Sequence, residues 1–182
     1  MGKYPELSDL ELLREVSEFN SLALEELYNR YSALLYTLIK KIAPDKKTAE
    51  NILVEVFAII WRKIEKFDLN AGNPYVWLVT LARNRAIDTV RRSRSSDEEP
   101  EFYDEAYENF FIVPTIAKNI DDMDIHTATR LRKHIENALE KLSDAQKYVI
   151  HLAYYEGHTL NDISVKLNIP VQTVRSKVMT AL

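Results

Sequence analysis

Five arginines, Arg83, Arg85, Arg91, Arg92 and Arg94, crowd into twelve positions of the chain. A guanidinium holds phosphate through two parallel donors, so a cluster of this kind suits a nucleic-acid backbone. Among them, Thr80, Asn84, Asp88, Arg91 and Arg92 recur at helical spacing and form one polar stripe. An amide such as that of Asn84 can read a base edge. The same residues also suit an ordinary solvated helix face, with Asp88 pairing to Arg92 one turn on. A second group lies near the end of the sequence. Gln172, Thr173, Arg175, Ser176 and Lys177 are polar or basic, while Val174 and Val178 share the opposite face. On the second helix of a helix-turn-helix these residues meet the major groove; on a plain helical hairpin they read nothing. A third group, Glu50, Asn51, Val54, Glu55, Ala58 and Arg62, lies opposite an apolar stripe. Val54 and Ala58 there suit a partner-docking face, or else a surface that tolerates two apolar residues.

Catalytic chemistry has little to work with. The four histidines, His126, His134, His151 and His158, lack metal-ligand spacing, and no Gly-rich phosphate loop is present. The chain has no Cys, which excludes disulfides and thiolate metal sites. An enzyme is not expected, and neither is a cofactor.

The elements that must position these groups are helices. Only 3 Gly and 6 Pro occur in 182 residues, and Val and Ile fall mostly in helical patterns, so the fold class is all-α. Ser8 or Asp9 can cap a first helix, and Leu22 to Ile42 carries Leu24, Leu27, Tyr28, Tyr31, Leu35, Leu38 and Ile39 at helical spacing. Pro44 breaks that pattern. Ala49, Ile52, Leu53, Val56, Phe57, Ile60 and Ile64 then make one continuous stripe, predicting a helix over 49–66 that ends near Phe67. After the loop 68–73, Asn73 as N-cap and Pro74 at the first position start a helix that runs to about Arg92. Residues 95–129 lose periodicity and mix acids with aromatics, which marks a linker. Helix resumes at about Thr129. Ser143 with Gln146 and Thr159 with Asp162 are capping boxes, the first opening a helix to near Glu156-Gly157 and the second a short helix to Leu167. Asn168-Ile169-Pro170 is a tight turn before a last helix from Val171 to Leu182, the layout of a helix-turn-helix.

Charge follows the same division. Residues 1–94 carry 15 Lys and Arg against 13 Asp and Glu; residues 95–129 carry 1 against 10; residues 130–182 carry 8 against 5. The net charge of -4 therefore conceals two mildly basic ends around an acidic middle, and it does not count against DNA binding. No apolar run is long enough to span a bilayer, and there is no signal-peptide core. Met1-Gly2 hints at myristoylation, but Glu6 stands where Ser or Thr is required. A bacterial cytoplasmic address is expected.

Three stretches carry a family resemblance. Residues 49–68, AENILVEVFAIIWRKIEKFD, resemble the second conserved region of extracytoplasmic-function sigma factors. Residues 77–92, WLVTLARNRAIDTVRR, are similar to the stretch that follows it, and 139–178 to the fourth region with its E-G turn and T-V-R-S-K recognition helix. Three motifs in register are far more specific than one. The resemblance implies two helical domains, sigma region 2 over 1–94 and sigma region 4 over 130–182, joined by the acidic linker 95–129. It also implies docking of the 49–66 helix through Glu50, Asn51, Val54, Glu55, Ala58 and Arg62 on the clamp helices of the core RNA polymerase β′ subunit. The β subunit is the second expected polymerase partner. Asn73, Tyr75, Thr80, Asn84, Asp88, Arg91 and Arg92 would bind and open the minus-ten promoter element, with a non-template base flipped toward the 68–73 loop. Trp77, on the apolar side, belongs to the core, whereas Tyr75 could stack on a base. Gln172, Thr173, Arg175, Ser176 and Lys177 would read the minus-thirty-five element. The linker would thread the polymerase cleft toward the RNA exit path, and an anti-sigma factor is an expected restraining partner.

The sequence departs from the family pattern at Asn51 and Val54, usually acidic or polar, and at Pro170, where Ser often caps the recognition helix. That cap is worth ~1 kcal/mol. The family's last helix normally runs further than Leu182, so a shortened recognition helix and weaker minus-thirty-five binding are expected. The alternative is a sigma-like mimic that binds an anti-sigma factor without touching DNA, which retention of Asn84, Arg91, Arg92, Arg175 and Lys177 opposes. A plain helix-turn-helix regulator leaves 8–94 unexplained.

Overall fold

Ser8 sits just before an apolar-periodic run and caps it in both directions. Its Oγ accepts from the Glu11 backbone N–H at 3.3 Å, and the Glu11 carboxylate accepts from the Ser8 N–H at 2.7 Å. This box opens α1 (Asp9–Ser17) in the computed structural model, which describes residues 4–67, 69, 73–94 and 125–181. Leu12, Leu13 and Val16 of α1 are fully buried. The helix closes with a Schellman turn, in which the Phe19 N–H donates to Val16 O and the Asn20 N–H to Glu15 O. That turn puts Phe19 at φ 59, a conformation that favours glycine and strains an aromatic residue.

Asn20 then caps α2 (Ser21–Ile42), its side chain accepting from the Leu22 N–H. The helix starts one residue before the predicted Leu22, because the cap fixes the first turn. Ala23, Leu27, Tyr31, Leu35 and Ile39 recur every four residues and are fully buried, so α2 is the central helix, packed against α1, α3 and α4. Each leucine or isoleucine among them contributes on the order of 2 kcal/mol through removal from water. Arg30 on α2 gathers the N-terminal segment. It donates to Asp9 at 2.9 Å, to Glu26 at 2.8 Å and to the carbonyls of Tyr4 and Pro5.

The third helix, α3 (Lys46–Lys63), starts earlier than its apolar stripe. Asp45 is the reason: its carboxylate accepts from the Thr48 N–H at 2.8 Å and from the Thr48 hydroxyl at 2.7 Å. Those hydrogen bonds, the hydroxyl's first, hold the Asp45 carboxyl below the usual range. The predicted stripe faces inward, with Ala49, Ile52, Val56 and Ile60 at 0 or 1% exposure. The last turn, Ile64–Lys66, tightens to a 3-10 helix before buried Phe67.

Asn73 caps α4 (Pro74–Arg94), accepting from the Val76 N–H at 3.0 Å. Leu78, Ala82, Ala86 and Ile87 turn to the core. The helix runs two residues past the predicted Arg92. Trp77 is half-buried against Phe67, with ring centroids 5.0 Å apart. Residues through Arg94 make one compact unit and residues from His126 a second. Most of the predicted linker, 95–124, lies outside the described residues.

The next helix, α5 (Ile125–Lys141), starts a turn earlier than the predicted Thr129 and lies in the second unit from His126 onward. No Gly or Pro separates the two positions, so the helix propagates backward unopposed. Both predicted capping boxes form. Ser143 and Gln146 open α6 (Asp144–Tyr154), and Thr159 and Asp162 open α7 (Leu160–Leu167). The first of these helices stops two residues before the predicted Glu156, ahead of Gly157, which takes φ 67. The final helix, α8 (Val171–Ala181), packs on both α6 and α7. Val149, Leu152, Ala153, Ile163, Val174 and Val178 form the core, with Tyr154, Leu160, Leu167 and Ile169 against it. Among the described residues every regular element is helical. No helix among them is long and apolar enough to cross a membrane.

Candidate nucleic-acid and polymerase interface

The turn between α7 and α8 decides where the last helix points. Asn168 adopts the left-handed conformation, φ 51 and ψ 47, which Asn tolerates better than most residues. The Asn168 and Ile169 N–H groups close a Schellman turn on Val165 O and Ser164 O, and Ser164 Oγ donates to Ile169 O at 2.6 Å. Pro170 cannot offer a side-chain cap, but its carbonyl accepts from the Thr173 N–H at 2.9 Å and starts α8. With Val174 and Val178 fully buried, Gln172, Thr173, Arg175 and Ser176 are exposed and Lys177 is half-buried. Five polar groups of the first turns of α8 therefore share the outward side of a helix whose inner side is locked by two valines.

The arginines of α4 divide. Arg83, placed by the sequence among the basic residues of the helix end, is 1% exposed. It sits beside Ala82 and one turn before Ala86 and Ile87, so it belongs to the buried face. Its Nη1 donates to Asn84 Oδ1 at 2.9 Å. Arg85 is also turned from its expected role: it pairs with Glu55 on α3 and is only 15% exposed. Arg91 is exposed and Arg92 half-buried. The side chain of Arg94 lies outside the described residues.

Thr80, Asn84 and Asp88 are half-buried along one line of α4. Because Arg83 donates to the Asn84 oxygen, the carboxamide is oriented from beneath by a buried cation. Asn73 uses its side-chain oxygen as the α4 cap. Tyr75 is half-buried beside Tyr31, centroids 6.4 Å apart, and burial pushes its hydroxyl above the ordinary tyrosine value. The ring expected to stack on a base thus rests against the core helix. Of the connecting loop, residues 68 and 70–72 lie outside the described residues.

On α3, Glu50, Asn51, Val54, Glu55 and Arg62 are exposed and Ala58 is half-buried. Val54 is 66% exposed on this face. Glu50 is 3.8 Å from Lys46, and Glu55 is held by Arg85. No local spacing could reveal the second pair, since its members are thirty positions apart. The sequence also gave no signal for Phe19, 72% exposed and edge-on to Trp61 at 5.6 Å.

One polar cluster lies in the second unit. Glu156 is 3.2 Å from both His158 and Lys166 and 3.5 Å from His151. Burial pushes its carboxyl up, but hydrogen bonds and charge from Lys166 and His158 outweigh that and hold it below the ordinary glutamate value. Among the described residues no group of three or more His, Asp or Glu has the arrangement of a metal site.

Comparison with known proteins agrees with this layout. The Sigma-70 region 2 model matches residues 27–96, and the Sigma-70, region 4 model matches residues 138–182. The ECF RNA polymerase sigma factor SigK of Mycobacterium tuberculosis (strain ATCC 25618 / H37Rv) is 29% identical over 181 residues, spanning 96% of this chain and 90% of its own. SigK of Mycobacterium sp. (strain KMS) is 29% identical over 171 residues, spanning 91% and 82%. A solved chain, from the structure of CnrH in complex with the cytosolic domain of CnrY, is 17% identical with a TM-score of 0.45, spanning 95% and 91%. With regions 2 and 4 matched in order and relatives aligned along nearly the whole length, the chain belongs to the extracytoplasmic-function group of the sigma-70 family.

Proposed function

We propose that this protein directs core RNA polymerase to promoters in the bacterial cytoplasm, with region 2 in residues 1–94, an acidic linker in 95–129 and region 4 in 130–182. The observation that carries the reading is the outward display of Gln172, Thr173, Arg175 and Ser176 on a helix fixed from within by Val174 and Val178. A helix built to pack on both sides would not expose four such groups in its first turns. Lys177 supports them from the flank, and together they read the minus-thirty-five element.

In region 2, the outer face of α3 docks on the clamp helices of β′ through Glu50, Asn51, Val54, Ala58 and Arg62, with Glu55 at its edge. Exposed Val54 supports that assignment. The β subunit engages region 4. Thr80, Asn84, Asp88, Arg91 and Arg92 follow the minus-ten strand, and a non-template base leaves the stack toward the loop after α3. Asn73 and Tyr75 stand at the loop's exit, Tyr75 as a wall more than as a stacking platform. The linker passes through the polymerase cleft and yields to nascent RNA. An anti-sigma factor restrains the protein by covering these faces.

Transcription from a genomic library by reconstituted core plus the full chain tests the reading. Specific starts are expected. Arg175→Ala should weaken binding to minus-thirty-five duplex, and Asn84→Ala should slow opening at minus-ten, each by about tenfold. Equal losses on random DNA would reduce both residues to phosphate contacts. No specific transcript, together with tight capture of an anti-sigma factor, would establish the mimic instead.

A further inference from the structure

We infer that Arg83 is a positioning residue that sets the polarity of Asn84, leaving its amide NH2 rather than its oxygen to meet a base. Asn84 is thereby restricted to bases that offer an acceptor edge; this rests on the proposed reading of Asn84 as a minus-ten contact. Arg83 is 1% exposed, and its Nη1 donates to Asn84 Oδ1 at 2.9 Å. A guanidinium carries five N–H donors and no acceptor, and it is not deprotonated in proteins. The end of the carboxamide that faces it is therefore the oxygen. The flipped amide would set its NH2 against the cation, donor against donor. Among the described residues no partner engages the Asn84 Nδ2.

The helix gives this arrangement little room to change. Ala82, Ala86 and Ile87 seat α4 in the core around Arg83, and Arg85 is tied to Glu55 of α3. A rotation that released the guanidinium would pull all of them from their places. Asn84 itself is half-buried, one turn from Thr80 and one turn from Asp88 on the same line. An asparagine with both ends of its amide available pairs with adenine through N6 and N7 together. With its oxygen committed to Arg83, Asn84 loses the half of that pairing that selects an exocyclic amine. What remains fits ring nitrogens and carbonyl oxygens: purine N7 or N3, guanine O6, thymine O4, cytosine O2 or N3.

The test uses holoenzyme reconstituted from core polymerase and the full chain, on a promoter that it opens. Single-stranded non-template minus-ten oligonucleotides carry one base analogue at a time. Deazapurines and thio bases remove or weaken an acceptor, whereas purine, hypoxanthine and 2-pyrimidinone remove an exocyclic amine. One acceptor analogue should cost the wild type about tenfold in binding and cost Asn84→Ala nothing further. Asn84→Asp keeps an acceptor toward Arg83 and loses the donors. It should fold with an undiminished thermal midpoint, yet bind the strand no better than Asn84→Ala. Arg83→Gln can donate or accept and so lets the amide turn. It should shrink the acceptor discrimination severalfold while core affinity holds, and Arg83→Lys, again only a donor, should keep most of it. An amine analogue whose cost disappears in Asn84→Ala overturns the inference, since Asn84 would then be accepting. So does a lowered midpoint in Asn84→Asp, or a folded Arg83→Gln with wild-type discrimination. Should Arg83→Gln fail to fold, the analogue series and Asn84→Asp decide between the same outcomes. If no analogue's cost depends on Asn84, or the wild type opens no promoter, the reading of Asn84 as a base contact falls first, and the inference with it.

Discussion

Single side chains in this protein do work that their types alone do not announce. Arg83 is a fully buried cation in a helix whose other arginines were expected at a DNA surface, and its visible bond is to the Asn84 oxygen. A buried guanidinium must be paired, so Arg83 is tied to its surroundings far more strongly than a surface arginine. Glu55 shows the converse: it lies on the predicted docking face yet is committed to Arg85 on the neighbouring helix. Glu156 allows a sign to be worked out. Its carboxyl is held below the ordinary value of 4.5, so the folded state binds its proton less readily than the unfolded chain. The stability this gives the second unit is present above the unfolded value and is lost as pH falls through the lower, folded one. Glu156→Gln should therefore lower stability slightly near neutrality and flatten the acid limb of a stability-against-pH curve, the two proteins converging at low pH. An unchanged acid limb in chemical denaturation at stepped pH would dismiss the link, and partial exposure keeps the expected effect small.

At the scale of elements, the helix starts placed in advance are those read from caps at Ser8, Asn73, Ser143 and Thr159, whereas the caps at Asn20 and Asp45 emerge only in the structure. Ser8, Asn20, Asp45, Ser143 and Thr159 each accept from the first turn of the helix they precede. The last helix differs, since Pro170 supplies only its carbonyl. Region 4 has a small core, so its helices depend on such ends more than region 2 does. Ser143→Ala should destabilise the protein by ~1 kcal/mol, read as a lower denaturant midpoint for helix loss. No shift would mean that α6 is held by Val149, Leu152 and Ala153 alone. The differences from expectation at this scale also have local causes. Helix α3 begins three residues before its apolar stripe because Asp45 is a cap, and α5 extends back to Ile125 because nothing in the sequence stops it.

Across the whole molecule, charge is arranged in sequence blocks, with 10 acids against 1 base in 95–129 between two basic ends. Repulsion by that block should hold down binding to DNA in the absence of polymerase. Replacing Asp97, Glu98, Glu99, Glu101, Asp104 and Glu105 with their amides should raise affinity for random duplex severalfold at low salt, an effect that fades within roughly the 8 Å Debye length of physiological salt. Fluorescence anisotropy over a salt series measures it, and an unchanged affinity at every salt would remove the block from the argument. The sequence by itself determined the helical class, the two ends and the helix-turn-helix, because periodicity and capping are local and act within a few residues. It determined the inward valines of α8 for the same reason. Only the tertiary structure decided that Arg83 is buried, that Arg85 reaches Glu55, that Tyr75 leans on Tyr31 and that Arg14 reaches Leu69. Apart from Arg83, whose fate turns on how α4 is rotated against its neighbours, each is a pairing between elements distant in sequence. Such pairings follow from how helices pack, and helical periodicity carries no record of the partner.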